Sequence, residues 1–88
     1  MRAAKVDRNH AEIAKALKAV GASVESLHRQ GHGCPDLLVG YRGANYVLEI
    51  KADKGLIRAL QDVWMSNWRG QVCVVRSAEE AIHVITQG

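Results

Sequence analysis

The 88-residue sequence has no phenylalanine, and its tryptophans and tyrosines bring the aromatic content to only 5%. Stacking of unpaired bases on aromatic side chains is therefore not the expected binding mode. It also lacks an apolar run long enough to cross a bilayer, and no apolar segment follows the basic first residues as it would in a secretory signal. We therefore expect a cytoplasmic protein with no membrane partner.

Cysteine is also scarce, and Cys34 and Cys73 do not form a C-x-x-C pair. In a reducing compartment we expect both to be free thiols. Cys73 belongs to an apolar run and is predicted to lie in the core. Cys34 is predicted to be a small packing residue rather than a nucleophile, because no histidine-plus-acid pattern accompanies it.

The overall composition, with 48% hydrophobic and 24% charged residues, is that of an ordinary globular protein. Its length predicts one domain, spanning residues 1–88, with a core small enough that a partner could be needed for stability or function. The net charge of +3 is compatible with nucleic-acid binding but does not establish it.

The stretch from Gly33 to Lys51 contains two β-rich runs around a short connection, which predicts a hairpin. A two-residue turn at Gly43 and Ala44 would place Leu38 opposite Glu49, and Asp36 opposite Lys51. Side chains alternate along strands, so this register separates charged from apolar residues. One face would carry Asp36, Glu49 and Lys51, and the other Leu37, Val39, Leu48 and Ile50.

Two carboxylates and an ammonium group on an otherwise apolar hairpin are costly unless they are paired or bound to a ligand. Neighbouring carboxylates favour a cation between them, and hard oxygen ligands suit Mg²⁺. Lys51 could then stabilise a developing negative charge. The alternative is a cross-strand ion pair between Asp36 and Lys51 on a solvated face, and the residues alone leave both interpretations open.

Pro35-Asp36, a short hairpin and Glu49-Ile50-Lys51 together resemble the PD-(D/E)XK nuclease motif. Within that superfamily the chain is similar to the small VRR-NUC type, including stand-alone bacterial and phage forms. The similarity extends from about Asp7 to about Ile85. Its further components are Asn9 and Glu12 on the first helix, Gly31-x-Gly33 before the motif proline, Gln61 on the next helix, and the segment from Gly70 to Ala81.

This resemblance implies a metal-dependent DNA endonuclease, with Mg²⁺ as cofactor, Mn²⁺ as a substitute and no small-molecule cofactor. The implied metal ligands are Asp36, Glu49, the Ile50 carbonyl and Glu12; Lys51 would be catalytic, supported by Gln61 and Glu12. The resemblance further implies a homodimer that cuts branched DNA such as four-way (Holliday) junctions, in a bacterial or phage-infected cell. The alternative is a non-catalytic nucleic-acid-binding module on the same scaffold.

The periodicity predicts the order α-β-β-β-α-β-α, and hence a mixed sheet flanked by helices, of the restriction-endonuclease type that the resemblance implies. The residues before Asp7 show no structural pattern, and Asp7 is a good N-cap for the first helix. The predicted elements are a helix from Asp7 to about Val20 with Gly21 as the C′ residue, a strand from Ala22 to His28, the hairpin, a helix from about Leu56 to about Trp68, a strand from Gln71 to Arg76, and a helix from a Ser77 capping box to about Ile85.

Two helices carry polar residues whose roles the sequence leaves open. Glu12 lies at the border of the first helix's apolar side, where it could face the motif strands or pair with Arg8 or Lys15 on the surface. Gln61 lies inside an apolar arc of about 200° on the second long helix, which predicts that this helix is covered on two sides. Gln61 could reach the catalytic face or bond to backbone.

The same apolar arc contains Trp64 and Trp68, which could contact a second protomer or fill the core of a monomer. Basic and polar side chains near the motif are candidates for contact with DNA phosphates. They are Arg8, Asn9, Arg29, His32, Lys54 and Arg58.

Overall fold

The computed structural model describes residues 2–51 and 59–87. Its elements follow the predicted order, with a short 3-10 turn at His28–Gln30 after the first strand. They are α1 (Arg2–Ala19), β1 (Ser23–Ser26), β2 (Leu37–Tyr41), β3 (Ala44–Ile50), α2 (Ala59–Asn67), β4 (Cys73–Val75) and α3 (Ala78–Thr86).

The four strands form one sheet in the order β1-β2-β3-β4. Strands β1 and β3 both run antiparallel to β2, and β4 runs parallel to β3. The parallel pair needs a crossover connection, which includes α2. The predicted mixed sheet flanked by helices is therefore confirmed.

The β2–β3 hairpin turns at Arg42 and Gly43, not at the predicted Gly43 and Ala44. Both turn residues have positive φ, 51° and 82°, as the favoured two-residue hairpin turns require. Arg42 adopts this unusual conformation with its guanidinium carbon 5.1 Å from the ring centre of Tyr41. Leu38 consequently lies opposite Val47 rather than Glu49.

The register thus differs from the predicted one by two residues, and an even shift leaves every side chain on its predicted face. Leu37 pairs with Leu48, and both are buried on the apolar face. Continued by one residue, this register places Asp36 next to Glu49 rather than Lys51. The Asp36 N–H donates to the Leu48 carbonyl at 3.1 Å, so the chain is already held to β3 before β2 begins.

The first helix begins at Arg2, five residues before the predicted N-cap Asp7, which lies inside it. The alanine, lysine and arginine residues that precede Asp7 favour helix, and this propensity outweighs the capping signal. The predicted end is confirmed: Gly21 has φ 99°, and the Ala22 N–H donates to the Leu17 carbonyl at 3.0 Å. This is the Schellman arrangement of a C′ glycine.

Helices α1 and α3 pack together on the apolar face of the sheet. Ser77 caps α3 as predicted, since its side chain accepts from the Glu80 N–H at 3.1 Å. In a capping box the Glu80 carboxylate would accept from the Ser77 N–H. Here it accepts instead from the N–H of Arg76, one residue earlier. The core consists of Ile13, Leu17, Ala22, Leu37, Val39, Leu48, Ile50, Val75, Ala81 and Ile85.

Two strands are shorter than predicted, because side chains take over backbone hydrogen bonds at their ends. After β1, the Ser26 hydroxyl accepts from the His28 N–H at 3.2 Å, which turns the chain away from the sheet. Before β4, the Gln71 amide accepts from the Val47 N–H at 2.6 Å and donates to its carbonyl at 3.3 Å. These bonds occupy β3 positions that a longer β4 would have used.

The predicted start of α2 at Leu56 lies outside the described residues, and the helix ends at Asn67 rather than Trp68. Trp68 leaves the helix, stacks on Trp64 with ring centres 4.6 Å apart, and donates through its indole N–H to the Gln71 carbonyl. Within residues 2–51 and 59–87, no helix is both long enough and apolar enough to cross a membrane.

Candidate active site

The carboxylates of Asp36 and Glu49 lie where β2 begins and β3 ends. Asp36 Oδ2 accepts a hydrogen bond from the Ile50 N–H at 2.7 Å, which ties this side chain to the β3 backbone. Glu49 is only 1% exposed and is the one charged residue that is fully buried among those described. The hairpin register therefore concentrates negative charge at one end of the sheet.

Lys51 and Gln61 complete a connected group around Glu49. The Lys51 ammonium lies 3.4 Å from Glu49 Oε2, and its side chain is 10% exposed. The Gln61 amide donates to the same carboxylate oxygen and accepts from the Lys51 ammonium. Gln61 therefore reaches from α2 to the side chains of Glu49 and Lys51 and connects them.

The second oxygen of Glu49, Oε1, is buried and has no hydrogen-bond partner among the described residues. An unpaired buried carboxylate oxygen is costly, and a proton or a cation would relieve that cost. Burial raises the Glu49 pKa to about 7, with the negative charge of Asp36 adding to the effect and Lys51 opposing it. The charge of Asp36 thus adds to the cost of ionising the buried Glu49 carboxylate, and a cation would offset that cost.

The Ile50 carbonyl is directed toward the Asp36 side of β3. Backbone groups of successive strand residues point alternately to the two neighbours. The Lys51 N–H donates to Val75 on β4, whereas the Leu48 carbonyl and the Ile50 N–H both bond to Asp36. The Ile50 carbonyl therefore lies on the same side as the Asp36 carboxylate, where it could serve as a third oxygen ligand.

The first helix presents a different residue to the site from the one expected. Glu12 is exposed, and no hydrogen bond or ion pair joins it to Asp36 or Glu49 in the part of the chain that the structure describes. His10 instead places its Nε2 3.6 Å from Asp36 Oδ1. At about 100° per residue, positions 10 and 12 point to nearly opposite sides of a helix.

His10 could have been found from the sequence, because it shares the apolar side of the helix with Ile13 and Leu17. A polar side chain on a buried face needs a partner, and in the structure His10 Nε2 lies 3.6 Å from Asp36 Oδ1. The expectation that Glu12 would join the acidic pair is not supported by its position.

Gly33, two residues before the motif proline, determines how closely the loop that leads to Asp36 approaches α2. Gly33 has φ 81°, and a β-carbon built there would collide with the Leu60 carbonyl carbon at 2.6 Å. The close approach needs glycine, and it holds α2, with Gln61, against the loop. Burial raises the pKa of the neighbouring Cys34 thiol, with Glu49 and Asp36 adding, which agrees with a packing role rather than a nucleophilic one.

The candidate phosphate-binding residues are only partly described. Arg29 and His32 are exposed on the loop that leads to Asp36, and Asn9 is half-buried beside His10. Arg8 belongs to α1, but its side chain is not described, and Lys54 and Arg58 lie outside the described residues. Two of the candidate phosphate-binding side chains, Arg29 and His32, are therefore exposed on the loop that precedes Asp36.

The donor set fits a hard cation better than zinc. Among the described residues, no group of three or more histidine, cysteine, aspartate or glutamate side chains is arranged to hold a metal ion. Structural and catalytic zinc sites need at least three such ligands. Mg²⁺ binds through one or two carboxylates and retains several waters, which suits two carboxylates and a carbonyl.

Comparison with protein-family models gives no match for this chain, and comparison with curated proteins gives none either. Comparison with solved structures finds a structure described as a VRR-NUC domain, with 26% sequence identity and a TM-score of 0.72. The match covers 90% of this chain and 91% of that structure. Together with the mixed four-stranded sheet and its flanking helices, this likeness shows that the chain has a VRR-NUC-type nuclease fold.

Proposed function

We propose that this protein is a Mg²⁺-dependent DNA endonuclease, and that Mn²⁺ can replace Mg²⁺. The observation that supports this best is Glu49, a buried carboxylate that lies next to Asp36 and leaves one oxygen without a hydrogen-bond partner. A purely structural ion pair is expected to satisfy both of its buried oxygens. A site that binds a cation leaves such an oxygen free for it.

Asp36, Glu49 and the Ile50 carbonyl would hold the ion. A bound divalent cation polarises the phosphate and lowers the pKa of a coordinated water. Asp36 keeps its orientation through the Ile50 N–H, and Glu49 keeps its own through Gln61 and Lys51. Glu12 has no part in this proposal, since its side chain is exposed on another side of α1.

Lys51 would stabilise the negative charge that develops on the phosphate during hydrolysis. Its ammonium is already held in place by Glu49 and Gln61, so little reorganisation is needed when the substrate binds. Gln61 would act as a positioning residue, because it fixes Glu49 and Lys51 with one amide. In these roles the charged side chains of the site would promote hydrolysis of a phosphodiester.

We propose DNA as the substrate because the matched solved structure is a VRR-NUC domain. The net charge of +3 and the exposed Arg29 and His32 on the loop before Asp36 favour a polyanion. Contacts of this kind bind phosphates without reading sequence. We therefore propose an activity that does not depend on DNA sequence.

We further propose that a homodimer acts on branched DNA, with a four-way junction as the leading substrate. Leu60, Val63 and Trp68 are 66%, 56% and 45% exposed, on or next to the helix that carries Gln61. A second copy of the chain packed on this surface would cover α2 on its second side, as the wide apolar arc of this helix predicts. Two-fold symmetry would then place two active sites on paired strands of a junction.

Cleavage of labelled linear, nicked, flapped and four-way DNA tests the function directly. Each substrate is incubated with Mg²⁺, Mn²⁺ or EDTA, and the Glu49→Gln variant serves as the inactive control. We expect cleavage with either ion, none with EDTA, and the fastest reaction on the junction. Junction binding without cleavage under any condition would contradict the nuclease and indicate a non-catalytic binding module.

Sedimentation at micromolar concentration tests the dimer separately. We expect a dimer that dissociates in a Leu60→Glu/Val63→Glu variant. A strictly monomeric enzyme that cuts linear duplex as fast as junctions would contradict both parts of the proposal. A dimer without junction preference would contradict the substrate alone.

A further inference from the structure

His10 is a polar residue on the side of α1 that otherwise packs into the core. Ile13 and Leu17, three and seven positions later, are 1% and 0% exposed. Residues at these spacings share one face of a helix. His10 is the residue of this face whose side chain lies beside a carboxylate, that of Asp36, instead of packing among apolar side chains.

The two oxygens of Asp36 have different surroundings. Oδ2 accepts from the Ile50 N–H at 2.7 Å, whereas Oδ1 faces His10 Nε2 at 3.6 Å. The His10 separation is longer than a direct hydrogen bond. Such contacts often shorten when a site takes up its ligand. The His10 and Asp36 side chains are 28% and 19% exposed, so the contact is partly shielded from water.

The backbone of Asp36 is held on both sides, but its carboxylate is fixed at one oxygen only. Its N–H donates to the Leu48 carbonyl at 3.1 Å, and its carbonyl accepts from the Leu27 N–H at 2.8 Å. With Oδ2 on the Ile50 N–H, the carboxylate can still rotate about that bond. A donor at Oδ1 would remove this freedom, and His10 is the side chain that lies there.

We propose that His10 is a positioning residue for Asp36, an assignment that rests on the proposed metal-dependent function. With its imidazole N–H donating to Oδ1, His10 would restrict rotation of the Asp36 carboxylate and so fix the orientation in which Asp36 binds the ion. Groups that orient a metal ligand in this way typically change metal affinity about 10- to 100-fold when removed. His10 therefore links the packing of α1 to the affinity of the site.

Calorimetry with Mn²⁺ in the absence of DNA tests this role on the full chain. We expect His10→Ala to weaken Mn²⁺ binding about 10-fold or more. His10→Gln should restore most of the affinity, because its amide nitrogen can donate from a similar distance along the side chain. The matched control is Ala11→Gln, which places the same side chain on the exposed neighbouring position. Thermal unfolding of each variant checks that the fold is retained.

The outcomes separate this proposal from the proposed function. If the wild-type protein binds Mn²⁺ and His10→Ala binds it with the same affinity, the role of His10 alone would be overturned. The role would also be overturned if His10→Ala loses Mn²⁺ binding, keeps Mg²⁺ binding and is not rescued by His10→Gln. This result would indicate that His10 binds the ion directly, since a nitrogen ligand favours the softer ion. A wild-type protein that binds neither ion would overturn the metal-dependent function, and the His10 assignment with it.

Discussion

Each face of the β2–β3 hairpin carries buried side chains, but those of one face are apolar and those of the other are charged. The apolar face is covered by α1 and α3 and carries Leu37, Val39, Leu48 and Ile50. The other face carries Glu49 and Lys51, whose side chains are 1% and 10% exposed and are joined by Gln61 from α2. Burial of the first face stabilises the fold, whereas burial of charge costs stability. The difference supports the proposal that the charged face binds a cation rather than stabilises the fold.

The largest expected effect on stability lies on the apolar face. Leu48 is 0% exposed, so Leu48→Ala should lower the free energy of unfolding by about 2–5 kcal/mol. Leu38 lies on the opposite face and is 37% exposed, so Leu38→Ala should cost less than about 1 kcal/mol. Urea denaturation of the two variants measures both values. Equal losses would contradict the assignment of the two faces.

On the charged face, replacement of Lys51 should slow catalysis, and it should also lower stability because the buried Glu49 carboxylate loses its ion-pair partner. We expect Lys51→Ala to slow cleavage by about 100- to 1,000-fold, because a preorganised charge near the transition state is lost. Binding of DNA should change little, since Lys51 would make only one of several phosphate contacts. The control is Lys18→Ala, an exposed lysine of α1, which should retain activity. Wild-type turnover in Lys51→Ala would remove this residue from the mechanism.

A smaller effect concerns the pH dependence of stability without divalent ions. Burial, with the charge of Asp36, raises the Glu49 pKa from 4.5 to about 7. The folded state therefore binds the proton more tightly than the unfolded state, and this contribution is lost as the pH rises from about 4.5 through 7. Thermal unfolding from pH 5 to pH 8 should show wild-type protein losing stability relative to Glu49→Gln. Parallel curves would contradict the raised pKa.

The sequence predicted the faces of the hairpin more reliably than its register. The expected turn at Gly43 and Ala44 was wrong, because Arg42 accepts a positive φ that residues other than glycine rarely adopt. Leu37 and Leu48 nevertheless lie on the predicted face, since the actual register differs by an even number of residues. Alternation along a strand is a local property, whereas register depends on the conformation of one turn.

The site was predictable where chemistry and periodicity agreed. Gln61, a polar residue within an apolar arc, needed a partner, and the structure joins it to Glu49 and Lys51. Glu12 was expected at the site because of the resemblance, but the helical phase set by Ile13 and Leu17 directs His10 there instead. The contact itself could not be predicted, because it depends on how α1 is placed on the sheet, which helical periodicity does not determine.

The most direct test of the account is whether the buried charged face binds a divalent cation. Calorimetry with Mn²⁺ is performed on wild-type protein, Asp36→Asn and Glu49→Gln, with Leu38→Ala as the control for a substitution on the same strand pair. We predict binding by the wild-type protein and the control, and no measurable binding by either carboxylate variant. Unchanged Mn²⁺ affinity in Asp36→Asn and Glu49→Gln would contradict the account.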